Sequence, residues 1–200
     1  MIWLIRKKEK SYLHIDVGGG STELTSIVNG QTKNSKSFSI GSVRLLEGKV
    51  SKKSWNDMKE WIKSNTNSVT GIKAIGSGGN INKIASMLGK KKGEYALYKD
   101  IKILLKKIEA KDFHQRITQF GLRPDRADVI IHAGEIYLNC MKWSKSRKIL
   151  ILTPIHVGKP RQAPFLEWCD ITSKAIFFLR RRSAMQLTPS VLLTPTPRSH

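Results

Sequence analysis

The sequence predicts an α/β domain, a mixed sheet with flanking helices, over residues 11–150. First, alternating runs near the N-terminus meet glycine-rich turns, as strands of an antiparallel meander do. Second, a short apolar run of strand length lies between two amphipathic helical patterns. Third, a chain of 200 residues with 40% apolar residues can bury a core, which excludes a wholly disordered polycation.

The first three predicted elements are strands that form the meander. Residues 11–17 alternate in polarity and then enter three consecutive glycines. Residues 23–29 form the second predicted strand, which Asn29-Gly30 closes, because Asn-Gly is a strong hairpin signal. Residues 33–40 complete the meander.

A helix, a strand and a second helix follow. Residues 54–64 place Trp and other apolar residues at helical spacing, with Ser54 as the predicted N-cap. Residues 71–75 form a short apolar strand that runs into a glycine-rich loop. Asn80 is predicted to cap the next helix, over residues 81–88.

The remaining predicted elements are helices. The helix that Asn80 caps ends at Gly89, since glycine favours the C-terminal cap position. Residues 101–108 are amphipathic, and residues 128–143 form a long apolar helix. Cys140 on this helix is interpreted as a core thiol. His14 is interpreted as structural, since no two of the five histidines have metal-ligand spacing.

The charge of the chain points to anionic partners. Lys and Arg number 36 and Asp and Glu 15, which gives a formal charge of +21. Basic residues are not interleaved with aromatic ones, so specific nucleic-acid binding is not expected. No apolar run approaches a membrane span, and no signal peptide is recognisable. We therefore expect a cytoplasmic protein with no membrane partner.

The composition changes near residue 150. Six of the seven prolines lie after it, and 14 of the 15 glycines lie before it. Residues 151–200 are therefore interpreted as a Pro-rich tail, either disordered or translated from a shifted reading frame. A continuation of the domain in another frame of the underlying DNA would support the second interpretation.

The segment Asp16-Val-Gly-Gly-Gly-Ser-Thr-Glu23 carries the strongest chemical signal. Consecutive glycines permit positive φ and close approach to a ligand, and freed amides with hydroxyls can ring an oxyanion. Asp16 and Glu23 would flank the turn as a carboxylate pair suited to Mg²⁺ beside a phosphate. The alternative is a glycine-rich hairpin with two solvated acids. The predicted phosphate-binding residues here are Gly18, Gly19, Gly20, Ser21 and Thr22.

Two further segments are candidate phosphate sites. Arg44 follows a glycine at a strand end, one turn into a predicted helix, and could present its guanidinium to a second phosphate, or could simply be solvated. The loop after the strand of residues 71–75 leads into a helix N-terminus, which attracts anions, although such loops are often only tight turns. The candidate residues in this loop are Gly76, Gly78 and Gly79.

Together these segments resemble the Ppx/GppA phosphatase family, which includes exopolyphosphatases and guanosine pentaphosphate phosphohydrolases of the actin-like ATPase superfamily. The resemblance implies a ribonuclease H-like fold with two domains, of which residues 11–150 resemble an incomplete second one. The segments that carry it are Asp16-Val-Gly-Gly-Gly-Ser-Thr-Glu23, Ile40-Gly-Ser-Val-Arg-Leu45, Ile75-Gly-Ser-Gly-Gly79 and Gly121-Leu-Arg-Pro-Asp-Arg-Ala-Asp-Val-Ile130.

The resemblance also implies roles for particular residues. Asp16 and Glu23 correspond to carboxylates that hold Mg²⁺ or Mn²⁺ and position water. The glycines and Ser21 of the first segment correspond to the loop that holds the terminal phosphate. Arg126 and Asp128 correspond to residues that fix a helix beneath the site, although a structural ion pair explains them equally well.

Residues 1–10 depart from the family pattern, since they lack its first phosphate loop and its catalytic glutamate. We therefore expect weak activity or none from this chain alone. The expected substrate is inorganic polyphosphate or guanosine pentaphosphate, and a homodimer is possible. The alternatives are a non-catalytic remnant that binds polyanions and a fragment of an actin-like, ATP-dependent kinase.

Overall fold

The computed structural model describes residues 11–67, 71–91 and 93–152. The described strands are β1 Tyr12–Val17, β2 Thr22–Val28, β3 Gln31–Phe38, β4 Lys73–Ser77, β5 Tyr95–Leu97 and β6 Lys148–Ile151. The described helices are α1 Ser42–Leu46, α2 Lys52–Thr66, α3 Gly79–Met87, α4 Tyr98–Glu109, α5 Phe113–Phe120, α6 Pro124–Ala127 and α7 Val129–Trp143.

The strands form one mixed sheet in the described part of the chain. Its order is β3-β2-β1-β4-β6-β5. The pairs β1–β2, β2–β3 and β5–β6 are antiparallel, whereas β1–β4 and β4–β6 are parallel. The parallel pairs place the C-terminal ends of β1 and β4 side by side. The predicted α/β class with a mixed sheet and flanking helices is therefore confirmed.

The antiparallel meander follows directly from its turn chemistry. Asn29 and Gly30 have φ values of 53° and 76°, so both central residues of the β2–β3 turn are left-handed. Turns of this kind match the twist of the two strands they join, which is why Asn-Gly is favoured there. The three strands predicted from alternation are present, with ends shifted by one or two residues.

The core lies on one face of the sheet, between the strands and the helices. In β1, Leu13, Ile15 and Val17 alternate with residues of the opposite face and pack against buried residues of α2, α3 and α7. Helix α7 is the central helix, and Cys140 on it is fully buried. Burial raises the pKa of the Cys140 thiol, because a thiolate would lose its solvation there.

The second face of β1 and β2 is also buried. Tyr12, His14, Thr25 and Ile27 are each at most 4% exposed, although they alternate with the residues of the core. β1 nevertheless keeps its alternation, because the polar residues His14 and Asp16 share this second face with Tyr12, whereas Leu13, Ile15 and Val17 face the core.

Two predicted N-caps are wrong. Helix α2 begins three residues earlier than predicted, because Ser51 accepts a hydrogen bond from the backbone N–H of Ser54. Helix α3 is capped by Gly78, and Asn80 lies inside the helix without a side-chain cap bond. Gly89 does follow the end of α3, with a left-handed φ of 67°.

Some elements were not predicted at all: β5, β6, α5 and α6. The predicted domain boundary at residue 150 falls inside β6. The lead of residues 1–10 and the tail, apart from residues 151 and 152, lie outside the described residues. None of the described helices is long and apolar enough to cross a lipid bilayer.

Candidate phosphate and cation site

Two carboxylates face each other where β1 and β2 meet their connecting turn. Asp16 and Glu23 are direct partners in the antiparallel register, so their side chains leave the same face of the sheet. Glu23 is exposed, and its Oε1 accepts hydrogen bonds from Ser21 Oγ at 2.8 Å and Ser37 Oγ at 3.2 Å. Asp16 is half-buried. The predicted carboxylate pair is thus assembled, with Glu23 oriented by two hydroxyls.

The turn between these carboxylates is held from outside by α1. Its backbone closes through the Gly18 N–H, which donates to the Ser21 carbonyl at 2.9 Å. The N–H groups of Ser42 and Val43 each donate at 3.0 Å, to the carbonyls of Gly18 and Gly19 respectively. The first amides of α1, which have no partner within a helix, are therefore satisfied by the hairpin.

This arrangement leaves the amides at the tip available. Gly19 and Gly20 are exposed, and within residues 11–67, 71–91 and 93–152 their N–H groups have no hydrogen-bond acceptor. Two adjacent exposed amides with fixed carbonyls form a suitable donor set for an oxyanion. The hairpin can therefore offer donors to a phosphoryl oxygen without rearranging its own hydrogen bonds.

Close packing, and not positive φ, is what glycine provides at position 19 of the hairpin. None of Gly18, Gly19 and Gly20 has a left-handed φ. The close approach is instead to α1. A Cβ on Gly19 would lie 3.2 Å from Val43 Cγ2, and a Cβ on Gly41 would lie 2.2 Å from the Gly19 carbonyl oxygen. The expectation of positive φ was wrong, because the chain reverses here by packing against α1.

The two hydroxyls of the hairpin have other partners. Ser21 Oγ donates to Glu23, as described above. Thr22 is fully buried, and its Oγ1 donates to the Ile40 carbonyl at 2.6 Å. The Thr22 hydroxyl therefore ties β2 to the segment before α1. We interpret Thr22 as an anchor of the site and not as a phosphate ligand.

Arg44 lies beside the same turn. Its backbone N–H donates to the Gly19 carbonyl at 3.3 Å, which places the residue next to the hairpin tip. The residue is exposed, and its guanidinium has no ion-pair partner among the described residues. The backbone of Arg44 is thus fixed beside the hairpin tip, and its role as a second phosphate donor stays a prediction.

The loop after β4 reaches the carboxylate pair. Gly78 has a φ of 106°, and a Cβ on it would lie 3.0 Å from Asp16 Oδ1. Any other residue would therefore be strained and would crowd the carboxylate. The parallel pairing of β1 with β4 brings these two segments together, because Asp16 is the register partner of Ser77.

The other two glycines of this loop have packing roles. A Cβ on Gly76 would lie 2.8 Å from Ile149 Cδ1 and 2.9 Å from Ile81 Cγ1, so Gly76 belongs to the core. Gly79 lies under Arg126, whose Nη1 donates to the Gly79 carbonyl. Only Gly78 of the three predicted loop residues lies against Asp16.

Arg126 and Asp128 are not an ion pair in the described structure. Arg126, on α6, holds the loop through the Gly79 carbonyl. Asp128 occupies the N-cap position of α7, and no side-chain cap bond accompanies it. The ion-pair explanation is thus not supported, whereas Arg126 does contact the loop next to the carboxylates.

Two residues close to the site were not predicted to belong to it. Tyr137 Oη donates to the Ser77 carbonyl at 2.7 Å and accepts from the Val17 N–H at 3.4 Å. His14 Nε2 and Ser77 Oγ share a hydrogen bond of 3.0 Å. The sequence did offer a signal for Tyr137. A tyrosine on an apolar helix face is expected to be buried, and a buried phenol needs a hydrogen-bond partner.

His14 makes the stability of the fold depend on pH. Burial lowers the pKa of His14 from 6.5 to about 4, while the Glu23 carboxylate acts in the opposite direction. Between these values the unfolded chain binds a proton that the folded chain does not. We therefore expect unfolding free energy to fall by about 3 kcal/mol from this residue as the pH drops from 7 to 4.

Guanidinium denaturation at several pH values between 4 and 7 measures this effect. His14→Gln serves as the comparison, because glutamine keeps a polar group near Ser77 without titrating. The wild-type curve should fall more steeply than that of the variant. Parallel curves for the two proteins would show that His14 does not titrate with the predicted shift.

The carboxylates of Asp16 and Glu23 provide some of the ligands that a hard divalent cation needs, but not all of them. Carboxylate oxygens suit Mg²⁺ and Mn²⁺, and Mg²⁺ keeps several waters and takes its other ligands from phosphates. Within the described residues, no group of three or more His, Cys, Asp or Glu is arranged to hold a metal. A cation here would therefore be held by Asp16 and Glu23 together with phosphate oxygens and water.

Comparison with known proteins identifies the family and the fold. A model of the Ppx/GppA phosphatase family matches residues 2–153, so the match includes most of the lead that we expected to lie outside the family. A crystal structure of the Aquifex aeolicus Ppx/GppA phosphatase has a TM-score of 0.58 and 22% identity, over 72% of this chain and 54% of that chain. A search of proteins of curated function finds no match.

A second solved structure gives the same result. An exopolyphosphatase from Cytophaga hutchinsonii has a TM-score of 0.59 and 20% identity, over 74% of this chain and 55% of that chain. The chain thus spans about half the length of the solved structures it matches, and at these identities the likeness concerns the fold. The family model, in contrast, covers well over half of this chain. The chain therefore belongs to the Ppx/GppA phosphatase family.

Proposed function

We propose that this domain binds the terminal phosphate of inorganic polyphosphate, or of guanosine pentaphosphate, together with Mg²⁺ or Mn²⁺. It would form the second domain of a phosphohydrolase that releases that phosphate. One observation carries the proposal. The paired carboxylates Asp16 and Glu23, the exposed amides of Gly19 and Gly20, and the left-handed Gly78 all adjoin the C-terminal ends of β1 and β4.

The protein groups would act mainly by position. Amides of Gly19 and Gly20 would donate to a phosphoryl oxygen, and the carbonyls of Gly18 and Gly19 are already held by α1. Such donors need no reorganisation when charge develops on the phosphate. Positioning and electrostatic stabilisation of this kind are the usual source of catalysis in phosphoryl transfer. Arg44 would add a planar donor from the same side of the hairpin.

The two carboxylates supply what the amides do not. Glu23 is oriented by the hydroxyls of Ser21 and Ser37, and the lack of a side chain at Gly78 leaves room for the Asp16 carboxylate. A divalent cation bound there would neutralise charge on phosphate oxygens and lower the pKa of a bound water. Without a cation, the same carboxylates would repel a phosphate.

Polyphosphate fits the charge of the chain better than a small uncharged substrate. A formal charge of +21 attracts a long polyanion by Coulomb forces and raises its local concentration.

The domain assignment, the cytoplasmic location and a homodimer stay predictions from the sequence.

Equilibrium binding of long-chain polyphosphate, with Mg²⁺ or with EDTA, tests the proposal. We expect binding that requires Mg²⁺ or Mn²⁺ and is competed by guanosine pentaphosphate. Phosphate release in the same samples reports turnover, which we expect to be slow for the chain alone.

The alternative functions give other results. Binding that falls steeply with salt but is indifferent to Mg²⁺ would indicate a non-catalytic polyanion-binding domain. Saturable binding of ATP that polyphosphate does not displace would indicate a kinase. Either result would contradict the proposed cation-dependent phosphate site.

A further inference from the structure

A buried phenol joins the two strands that carry the glycine loops. Tyr137, on α7, is fully buried. Its hydroxyl donates to the Ser77 carbonyl at the end of β4 and accepts from the Val17 N–H at the end of β1, at 2.7 and 3.4 Å. One side chain from the core therefore contacts the ends of both β1 and β4.

This contact lies directly beyond the last residue pair between β1 and β4. The parallel register of β1 and β4 ends at the pair Asp16 and Ser77. Val17 is one residue beyond that pair, and its amide is bound by Tyr137 instead of by β4. The phenol thus continues the connection between the two strands by one residue, up to the start of both loops.

Each partner of Tyr137 directly precedes a glycine loop. Val17 is followed by Gly18 of the hairpin, and Ser77 is followed by Gly78. A Cβ on Gly78 would lie 3.7 Å from Tyr137 Oη and 3.0 Å from Asp16 Oδ1, so phenol, loop and carboxylate meet at one point. A shift of either strand end would change the separation of the two loops.

The phenol is suited to this task because it stays protonated. Burial, together with the charge of Asp16, raises the pKa of Tyr137 well above its ordinary value. The hydroxyl therefore remains protonated, and a donor to Ser77, at neutral pH. Phenylalanine would fill almost the same volume but would leave the Ser77 carbonyl without this donor.

We infer that Tyr137 is a positioning residue that fixes the separation of the two glycine loops, and that it thereby favours ligands with adjacent phosphoryl groups over a single phosphate. The inference rests on the proposed function, because it assumes that both loops face the phosphate chain. A ligand that contacts one loop would not sense their separation, whereas one that spans both would.

The test compares Tyr137→Phe with Tyr98→Phe. Tyr98 is a half-buried tyrosine of α4 whose hydroxyl has no hydrogen-bond partner among the described residues, so it is a matched control. The probes are tripolyphosphate and orthophosphate, both with Mg²⁺. We expect Tyr137→Phe to weaken tripolyphosphate binding about tenfold, the equivalent of one lost buried hydrogen bond, and orthophosphate binding less than about twofold.

A second measurement needs no ligand. Hydrogen exchange of the Val17 amide should accelerate in Tyr137→Phe, while that of amides in the middle of β1 should not. Equal losses for both probes, or unchanged binding of both with unchanged exchange, would overturn the inference. Wild-type protein that binds neither probe would overturn the proposed function, and the exchange result would then still decide whether Tyr137 holds the two strand ends together.

Discussion

Gly41→Ala is expected to lower the free energy of unfolding by about 3 kcal/mol, at the upper end of the usual cost of overpacking. The added Cβ would lie 2.2 Å from the Gly19 carbonyl oxygen and 2.6 Å from the Gly20 carbonyl carbon. Both contacts are with backbone, so neither can be relieved by a side-chain rotation. The hairpin and α1 must move apart, and the bonds from Ser42 and Val43 to the hairpin would lengthen.

This substitution isolates close approach from backbone strain. Gly41 has a φ of −141°, which alanine adopts readily. Since glycine-to-alanine changes at permissive positions commonly stabilise a protein by about 0.4–1 kcal/mol, any destabilisation must come from the contact. Urea denaturation measures the difference.

Gly20→Ala is the matched control for this prediction. Gly20 lies in the same hairpin, but a Cβ there would meet nothing within 4 Å, and its φ is not left-handed. We expect its free energy of unfolding to be unchanged or raised by up to about 1 kcal/mol, as for glycine-to-alanine changes at permissive positions. Equal stability of the two variants would show that the hairpin and α1 are not in close contact.

The contact at Gly41 marks the limit of what the sequence could predict about the site. The carboxylate pair was predictable, because a hairpin with alternating strands forces Asp16 and Glu23 into register. The approach of α1 to the hairpin joins segments more than twenty residues apart, and no local pattern encodes it. For the same reason the left-handed glycine was expected at the hairpin, whereas it is Gly78 in the other loop.

The elements that were missed are short or atypical. Strands β5 and β6 contain three and four residues, too few for a period to be recognised. Helix α5 has no buried residue, although its capping box at Asp112 and Gln115 was a usable signal. Tyr137 was missed because its phenol bonds to backbone atoms 60 and 120 residues away in sequence.

Asp16→Asn and Glu23→Gln are each expected to weaken Mg²⁺-dependent polyphosphate binding about 100-fold, because each removes one of two charges that would face the cation. Glu23→Gln retains an oxygen for the hydroxyls of Ser21 and Ser37, so the hairpin should stay intact. Glu109→Gln, at the exposed end of α4, removes the same charge elsewhere and should bind as wild type does. Isothermal titration with Mg²⁺ present measures the three affinities.

Without a cation, the effect of Asp16→Asn and Glu23→Gln on polyphosphate affinity should change sign. In EDTA, Asp16 and Glu23 repel an approaching phosphate, so neutralising either one should strengthen polyphosphate binding relative to wild type. A variant that had merely misfolded would lose affinity under both conditions, and a remnant that binds only through surface lysines would respond to neither change. Opposite signs with and without Mg²⁺ are therefore the result that distinguishes a cation-bridged phosphate site from general electrostatic attraction, and loss of affinity in EDTA would contradict the assignment of these two carboxylates.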